Sequence, residues 1–507
     1  MPDLFFPVPV HPGEGLQRQI HARLVEAILD GTLSPFEALP ASRVLAERIG
    51  VSRNTVVLVY ERLAEDGFLR AVPRRGYFIN EVHVRRELAA RVAGRTGSPD
   101  GADAAVEARL DRLRLRPTSQ RNIVKPADWR SYPYPFIYGQ VNVDRITLAR
   151  WRDCARLAGA ERHSAAWVVD LIDADDPTLI AQIVSRVLPR RGIRARPEEV
   201  LITIGAQNAL FLIATLLGGA GTVAGVEDPG YVDARNILSA TGATLRALPV
   251  DAGGVRLGPE LTGCDLIHVT PSHQSPTSVT LGMERRLALL ERAEREDFWI
   301  LEDDYEHELN YVGAQRPALR ALDSRGRVLH VGSLTKPIFP GLRMGFIVAA
   351  PGLIRELRAL RRLMYRHPPA LDQRAMALFL AEGHFDAHIL RARQALARKW
   401  RTLFREVDRL LPDCRALATT GGSAVWLELP AGVDGRRLAT AAASRGVLVE
   451  PGDVHFAAPR DPCRYLRLGF AAIAHDRIAP GLSLLAEALA EVRAAGGVGA
   501  PGQEIAG

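Results

Sequence analysis

Lysine is almost missing from this chain. Its 65 Lys plus Arg include only three lysines, Lys125, Lys336 and Lys399. Arginine serves equally well as a solvated cation, but it does not deprotonate at ordinary pH and is a poor nucleophile toward a carbonyl. An amine in the tight loop GSLTKPIFPGLRMG, residues 332–345, is therefore either chance or chemistry, and its surroundings must decide. Cysteine is nearly as scarce. Cys154, Cys264, Cys414 and Cys463 lack metal-ligand or disulfide-framework spacing, which points to a reducing cytoplasm. No run approaches the roughly 18 apolar residues that span a bilayer. The opening MPDLFFPVPVHPGEG has neither a basic n-region nor a small-residue cleavage site, so no signal peptide and no membrane partner are expected.

What is present fits a multidomain globular chain. The 507 residues are 47% hydrophobic and 24% charged, enough for two or more domains with sizeable cores. A net charge of +7 suggests an anionic partner. Residues 1–80 are nevertheless neutral, with nine Arg against nine Asp and Glu. Nucleic-acid contact at this end must come from local placement.

Pattern divides the chain into residues 14–80, a Pro-, Gly- and Arg-rich linker over 81–135, an α/β region over 136–490, and a disordered tail over 491–507. One short helix is expected in the linker around Ala104–Leu115. In the first region Leu16, Ile20, Leu24 and Ile28 make one amphipathic helix. Ser42 is read as the cap of a second helix burying Leu45 and Ile49 and ending at Gly50. Ser52 caps a third, burying Val56, Val59, Tyr60 and Leu63. The last two helices form a helix-turn-helix, and FLRAV and YFIN, joined by PRRG, add a β-hairpin wing. Arg53, Asn54 and Thr55, beside the Ser52 cap, can reach base edges and phosphates in a major groove. Arg43 opens the preceding helix, and Arg74, Arg75 and Gly76 occupy the wing tip. A double-stranded DNA operator is the expected partner.

The stretch LPASRVLA, then VSRNTV, then a glycine-bearing wing resembles the GntR superfamily of winged-helix regulators over residues 16–80. It departs at Pro35-Phe36, where the family usually has Pro-Gly.

In the α/β region five predicted strands each run into a chemically notable loop. LITI leads to Gly205-Ala206-Gln207, GTVAGV to Glu227-Asp228-Pro229-Gly230-Tyr231, and DLIHVT to Pro271-Ser272-His273-Gln274. FWILE leads to Asp303-Asp304-Tyr305, and RVLHVG to Ser333-Leu334-Thr335-Lys336. Ligand crevices of open α/β sheets lie at the carboxyl ends of strands, so these loops are expected to converge. The inventory suits a phosphorylated aldehyde with a ring nitrogen. Lys336 supplies the amine for a Schiff base, Asp303 a partner for a protonated pyridine, Tyr305 a hydrogen bond to the ring hydroxyl, and Tyr231 a stacking face. Gly205, Ala206 and Gln207 at a helix N-terminus, with Ser333 and the Arg343 guanidinium, suit a phosphate. The acidic run EDDYEHE reads as a metal cluster only if its carboxylates share a face. Strand alternation splits them, and no metal is expected.

The joint order GAQNAL, EDPGY, TPSHQSPT, EDDY and GSLTKPIFPGLRMGF resembles fold-type I pyridoxal-phosphate aminotransferases. Asp303 stands 33 residues before Lys336, and Arg343 seven after it. That resemblance implies pyridoxal 5'-phosphate as cofactor, a mostly parallel sheet, and Arg467 in YLRLGF as the arginine that holds a substrate or effector carboxylate. Winged helix, linker and this domain together resemble the MocR family of transcription regulators, which implies a head-to-tail homodimer. DADDPTL departs by placing Ala174 and Leu179 at positions from which a phosphate contact to the partner subunit is expected. Ala206 replaces a common Ser or Thr, and Ser278 replaces a Gly. After Tyr231, Val232-Asp233 lacks the Tyr-x-Arg of the γ-aminobutyrate-responsive branch. Three readings follow: a DNA-binding regulator sensing an amino compound at Lys336, an aminotransferase with an accessory DNA-binding head, and a regulator whose core no longer binds the cofactor.

Overall fold

A computed structural model of the chain describes residues 15–29, 33, 38–73, 75–80, 82–84, 106, 109–110, 112–137, 143–417 and 419–496. Two compact units divide between Arg116 and Pro117. Arg74 and the Pro35-Phe36 departure lie outside the described residues, as do residues 497–507 of the expected tail. Residues 491–496 are not a tail but the end of helix Ile478–Gly496.

The first unit contains helices Leu16–Leu29, Ser42–Ile49 and Arg53–Glu65 and a hairpin of β1 (Leu69–Val72) and β2 (Gly76–Ile79). Ile20, Leu24 and Ile28 meet Leu45, Val56, Val59, Tyr60 and Leu63 in one core. Burying each such aliphatic side chain contributes roughly 1.5–3 kcal/mol. Gly50, at φ +67°, ends the second helix in the left-handed conformation that favours glycine. Ser52 caps the third, its Oγ accepting from the Thr55 amide at 3.1 Å. The cap expected of Ser42 is not made. The chain enters that helix one residue earlier, with Ala41 at the cap position, and the Tyr60 hydroxyl donates to the preceding Pro40 carbonyl at 2.9 Å. Ile49 is only partly buried, and Ala46 takes its place in the core.

The second unit carries two sheets. The first comprises β4 (Val200–Thr203), β5 (Val223–Asp228), β6 (Thr244–Asp251), β7 (Gly254–Val255), β8 (Leu266–Val269), β9 (Trp299–Asp304), β10 (Val328–Ser333) and β11 (Gly345–Val348). Their order is β4-β11-β10-β9-β8-β5-β6-β7. Neighbours from β10 across to β6 are parallel, and β4 and β10 are each antiparallel to β11. All five strands singled out in the sequence therefore point the same way, and their carboxyl ends share one edge. Several run further than expected, so that Asp303, Asp304 and Ser333 sit on the strands themselves. Buried apolar layers cover both faces, as a parallel sheet requires.

The smaller sheet adds β12 (Arg415–Ala416), β13 (Ala424–Glu428), β14 (Val447–Pro451) and β15 (Tyr465–Gly469), with β3 (Tyr134–Phe136) at its edge. Strand β3 spans the end of the expected linker, and the second unit already begins at Pro117. Tyr134, Pro135 and Phe136 pair in parallel with Val447, Leu448 and Val449, and Phe136 is wholly buried. A proline in a strand is tolerated at such an edge. Of the helix expected over Ala104–Leu115, Val106, Arg109 and Leu110 are helical and residues 112–115 are not. The rest lies outside the described residues.

Candidate functional site

In the first unit, Arg43, Arg53, Asn54, Arg75 and Gly76 are exposed and Thr55 is half-buried behind its bond to Ser52. The Ser52 hydroxyl lies 2.7 Å from the Thr55 hydroxyl, which locks the first turn of helix Arg53–Glu65. Among the described residues, Arg43 and Arg53 have no carboxylate partner, whereas Arg62 and His21 do. Arg75 lies over the Phe78 ring at 5.7 Å. The exposed start of the third helix thus keeps its positive charge uncompensated although the segment as a whole is neutral. Such charge is what a polyphosphate backbone attracts.

In the second unit the strand ends frame a cavity of about 480 Å³. It is lined by Gly205, Ala206, Gln207, Tyr231, Asp303, Tyr305, Ser333, Lys336, Arg343 and Arg467, all ten residues singled out from the sequence. The Lys336 Nζ lies 3.8 Å from the centroid of the Tyr305 ring and 3.4 Å from Glu306 Oε1. Its own amide donates to Ser333 Oγ at 3.2 Å, which ties the loop to the end of β10. Asp303 is buried, its Oδ2 lies 3.5 Å from His268 Nε2, and its Oδ1 finds no hydrogen-bond partner among the described residues. A buried carboxylate oxygen without a donor is costly unless a ligand supplies one.

The phosphate-type end is set by close backbone approach. Gly205 has φ +77° at the start of helix Gly205–Leu217, and a Cβ there would meet the Arg343 guanidinium at 3.1 Å. A Cβ on Gly345 would come within 2.8 Å of the Gly205 carbonyl carbon and 2.9 Å of the Ala206 nitrogen. Arg343 itself adopts φ +50°, a conformation arginine rarely takes, which lays its side chain against Gly205. Tyr231 donates to Asp233 Oδ2 at 3.1 Å, and Gln207 Nε2 donates to the same oxygen at 3.2 Å.

Burial depresses the Lys336 ammonium pKa below its ordinary value, with Glu306 opposing that shift. A larger fraction of neutral, nucleophilic amine results. Burial, then Glu306, raises the Tyr305 phenol well above its usual value, so it remains a hydrogen-bond donor. Burial works against the charge of Arg467, but Glu450, with Tyr305 and Glu306, offsets this and raises its pKa, and Glu450 Oε2 accepts from Arg467 Nη1 at 2.5 Å.

The carboxylates of EDDYEHE go to separate partners. Glu302 accepts from the Leu319 amide at 2.6 Å, Asp304 from Arg191 Nε at 2.6 Å, and Glu306 from the Ser423 hydroxyl at 2.6 Å. Of the departures noted in the sequence, Leu179 lies on helix Pro177–Gln182 and is wholly buried in the core, and Ala174 is exposed. Ser278 takes a glycine-like φ of +60°, with its Oγ donating to the Ala424 carbonyl at 2.9 Å.

Sequence reasoning missed Lys125, Glu450 and Glu306 as cavity or near-cavity groups. The first had a signal, since it is one of three lysines in the chain. Glu450 had none, because it faces Arg467 only through the register of β14 on β15.

The sequence profile of bacterial regulatory proteins of the gntR family matches residues 16–79, and that of aminotransferase class I and II matches residues 153–482. The HTH-type transcriptional regulator TauR of Rhodobacter capsulatus is 39% identical over 488 residues, 96% of this chain and 98% of that protein. The probable rhizopine catabolism regulatory protein MocR of Rhizobium meliloti is 32% identical over 498 residues, 96% of this chain and 95% of its own. Among solved structures, the Pyrococcus horikoshii kynurenine aminotransferase superposes with a TM-score of 0.68 over 75% of this chain and 98% of its own, at 24% identity, a likeness of fold. The chain belongs to the MocR-type family of transcription regulators, in which a GntR-type winged helix-turn-helix precedes an aminotransferase class I and II domain whose fold is one that binds pyridoxal phosphate.

Proposed function

We propose that this regulator holds pyridoxal 5'-phosphate at Lys336 and uses it to sense an amino compound, whose capture alters operator binding by the winged helix. The observation that carries the cofactor reading is the unpartnered, buried Oδ1 of Asp303 at the bottom of a cavity that also presents an amine and a phosphate-type cradle. When bound, the cofactor supplies an aldehyde that condenses with primary amines and a ring that draws electrons from them. Asp303 would hold a proton at the ring nitrogen, with His268 Nε2 3.5 Å from its other oxygen. Tyr231 would pack on the ring and Tyr305 donate to its hydroxyl. Ser333, Arg343 and the amides of Gly205–Gln207 would hold the phosphate. Lys336 would hold the aldehyde end through its amine, and Glu306, with Oε1 3.4 Å from Nζ, would stabilise that amine when it is protonated. Arg467 would engage an acid group of the effector. Arg43, Ser52, Arg53, Asn54, Thr55, Arg74, Arg75 and Gly76 would contact DNA.

We also propose a homodimer, head-to-tail as the family resemblance implies. A patch on the second unit supports self-association. Val168, Val169, Ile172, Leu363 and Met364 are exposed, and their two segments are joined by Leu171–His367 and Arg366–Asp170 contacts.

An aminotransferase-type cavity equally favours an enzyme with a DNA-binding head. Incubating the loaded protein with amino acids and a keto acid separates the two. A sensor shows a change in cofactor absorbance without keto-acid turnover, and an enzyme shows turnover. A colourless protein that borohydride cannot label at Lys336 sinks both. Arg53→Ala should abolish operator binding in a gel-shift assay while cofactor absorbance is retained.

A further inference from the structure

Outside the cavity, one cluster brings together three residue types that ligate metals. Cys154, near the end of helix Arg145–Ala158, meets Glu382 and His384. Those two flank Gly383 at the corner between helices Ala370–Ala381 and His384–Leu410. Gly383 takes φ +73°, a left-handed conformation, and its two neighbours reach toward Cys154. One ligand atom from each of the three residues lies within 4.8 Å of the other two. His384 Nε2 and Glu382 Oε2 are 3.0 Å apart. Sequence spacing hides the group, because Cys154 stands 228 residues before Glu382.

The thiol is the unusual member. Cys154 is wholly buried and free, and its Sγ makes no hydrogen bond among the described residues. Glu382 is exposed and His384 half-buried, which gives an ion a path from solvent to a buried sulfur. Thiolate, imidazole and carboxylate together suit zinc, whereas magnesium and calcium prefer oxygen ligands throughout. Zinc binds these atoms at about 2.0–2.3 Å, and tetrahedral angles then set them about 3.5 Å apart. The cluster therefore needs to close by about 1.3 Å at most.

We propose that Cys154, Glu382 and His384 form a three-ligand site for zinc, with the fourth position left to water. The site is separate from the cavity and does not rest on the amine-sensing reading. Without a metal the thiol keeps its proton, since burial, with Glu382 adding to it, pushes the Cys154 pKa up to about 11. Zinc takes the thiolate and releases that proton to water.

A zinc ion here clamps two helices that also hold the Lys336 loop. His388, one turn beyond His384, has Nε2 2.7 Å from the Pro337 carbonyl and Nδ1 2.9 Å from the Thr147 hydroxyl. Thr147 shares its helix with Cys154. Trp151, between them, packs on Phe339 of that loop with ring centroids 5.6 Å apart and on Phe379 at 5.7 Å. Phe379 in turn meets the His384 ring at 5.7 Å. Joining Cys154 to His384 thus braces both contacts to the loop.

The test titrates full-length protein with zinc against a chromophoric chelator. Wild type should take up one zinc per chain. Cys154→Ala and His384→Ala should each weaken binding by more than about a hundredfold, beyond the cost of losing a supporting hydrogen bond. The exposed change Glu382→Gln should weaken it by about tenfold or more. Cobalt in place of zinc should give the visible bands of a tetrahedral ion and a thiolate charge-transfer band, read against the same protein without cobalt. Zinc should also raise the melting temperature of wild type and leave that of Cys154→Ala unmoved. Equal zinc affinity in wild type and a folded Cys154→Ala overturns the site. Should that variant fail to fold, wild-type cobalt decides, and an octahedral spectrum without the thiolate band overturns the site. A wild-type melting temperature that bound zinc does not move overturns the clamp.

Discussion

A single carboxylate, Asp303, concentrates the chemistry of the cavity. Its buried oxygen without a donor among the described residues is the acceptor that the proposed cofactor's ring nitrogen would meet. Asp303→Asn keeps the shape and removes the charge. It should weaken cofactor retention by about tenfold to a hundredfold, read as loss of absorbance on dialysis, while the fold persists in circular dichroism. Asp303, Lys336 and Arg343 were legible in the sequence because three separate residue types stood at fixed distances behind strands. Lys125 was not. Its stretch has no apolar periodicity, and its order comes from bonds to Asn236, Asp453 and Phe456, more than a hundred residues away in sequence. Pattern methods see local repeats and are blind to anchors of that kind.

At the scale of elements, the cavity depends on two chain segments touching through backbone alone. Gly345→Ala would press a methyl into Gly205, Ala206 and the Gly332 carbonyl, each at 2.9 Å or less, and backbone cannot rotate away as a side chain can. The variant should lose about 1–3 kcal/mol of stability in denaturant melts, as overpacked sites do, and should release the cofactor. A second element carries a pH signature. On the short helix His307–Leu309, burial raises the Glu308 pKa to about 8 from an ordinary 4.5. Between those values the folded state holds a proton that the unfolded state has lost, so this group's contribution to stability falls as pH rises. Glu308→Gln should therefore raise the melting temperature by a few degrees at pH 8 and change it little at pH 5. The strand directions were readable from sequence because short apolar runs alternated with helices. The Ser42 cap was misplaced because Ser42 is itself the first helical residue, with Ala41 before it at the cap position.

At the scale of the whole molecule, the exposed apolar patch on the second unit is the surface that the proposed homodimer would bury. Leu363 is 85% exposed and Val168 66%, more than a soluble surface usually leaves on adjacent segments. Leu363→Glu with Met364→Glu should shift sedimentation from dimer toward monomer, with cofactor absorbance at most reduced. A dimer unchanged by both substitutions would place the interface elsewhere. The scarcity of lysine also has a consequence at this scale. Of the three lysine side chains, one donates to the Ala471 carbonyl from a buried position at 2.7 Å, and the other two line the same cavity. Their amines are also pushed toward the neutral form. The outer surface therefore offers acylating reagents almost no lysine, and mild amine labelling becomes a probe of the cavity itself. Protection at Lys336 would follow cofactor loading.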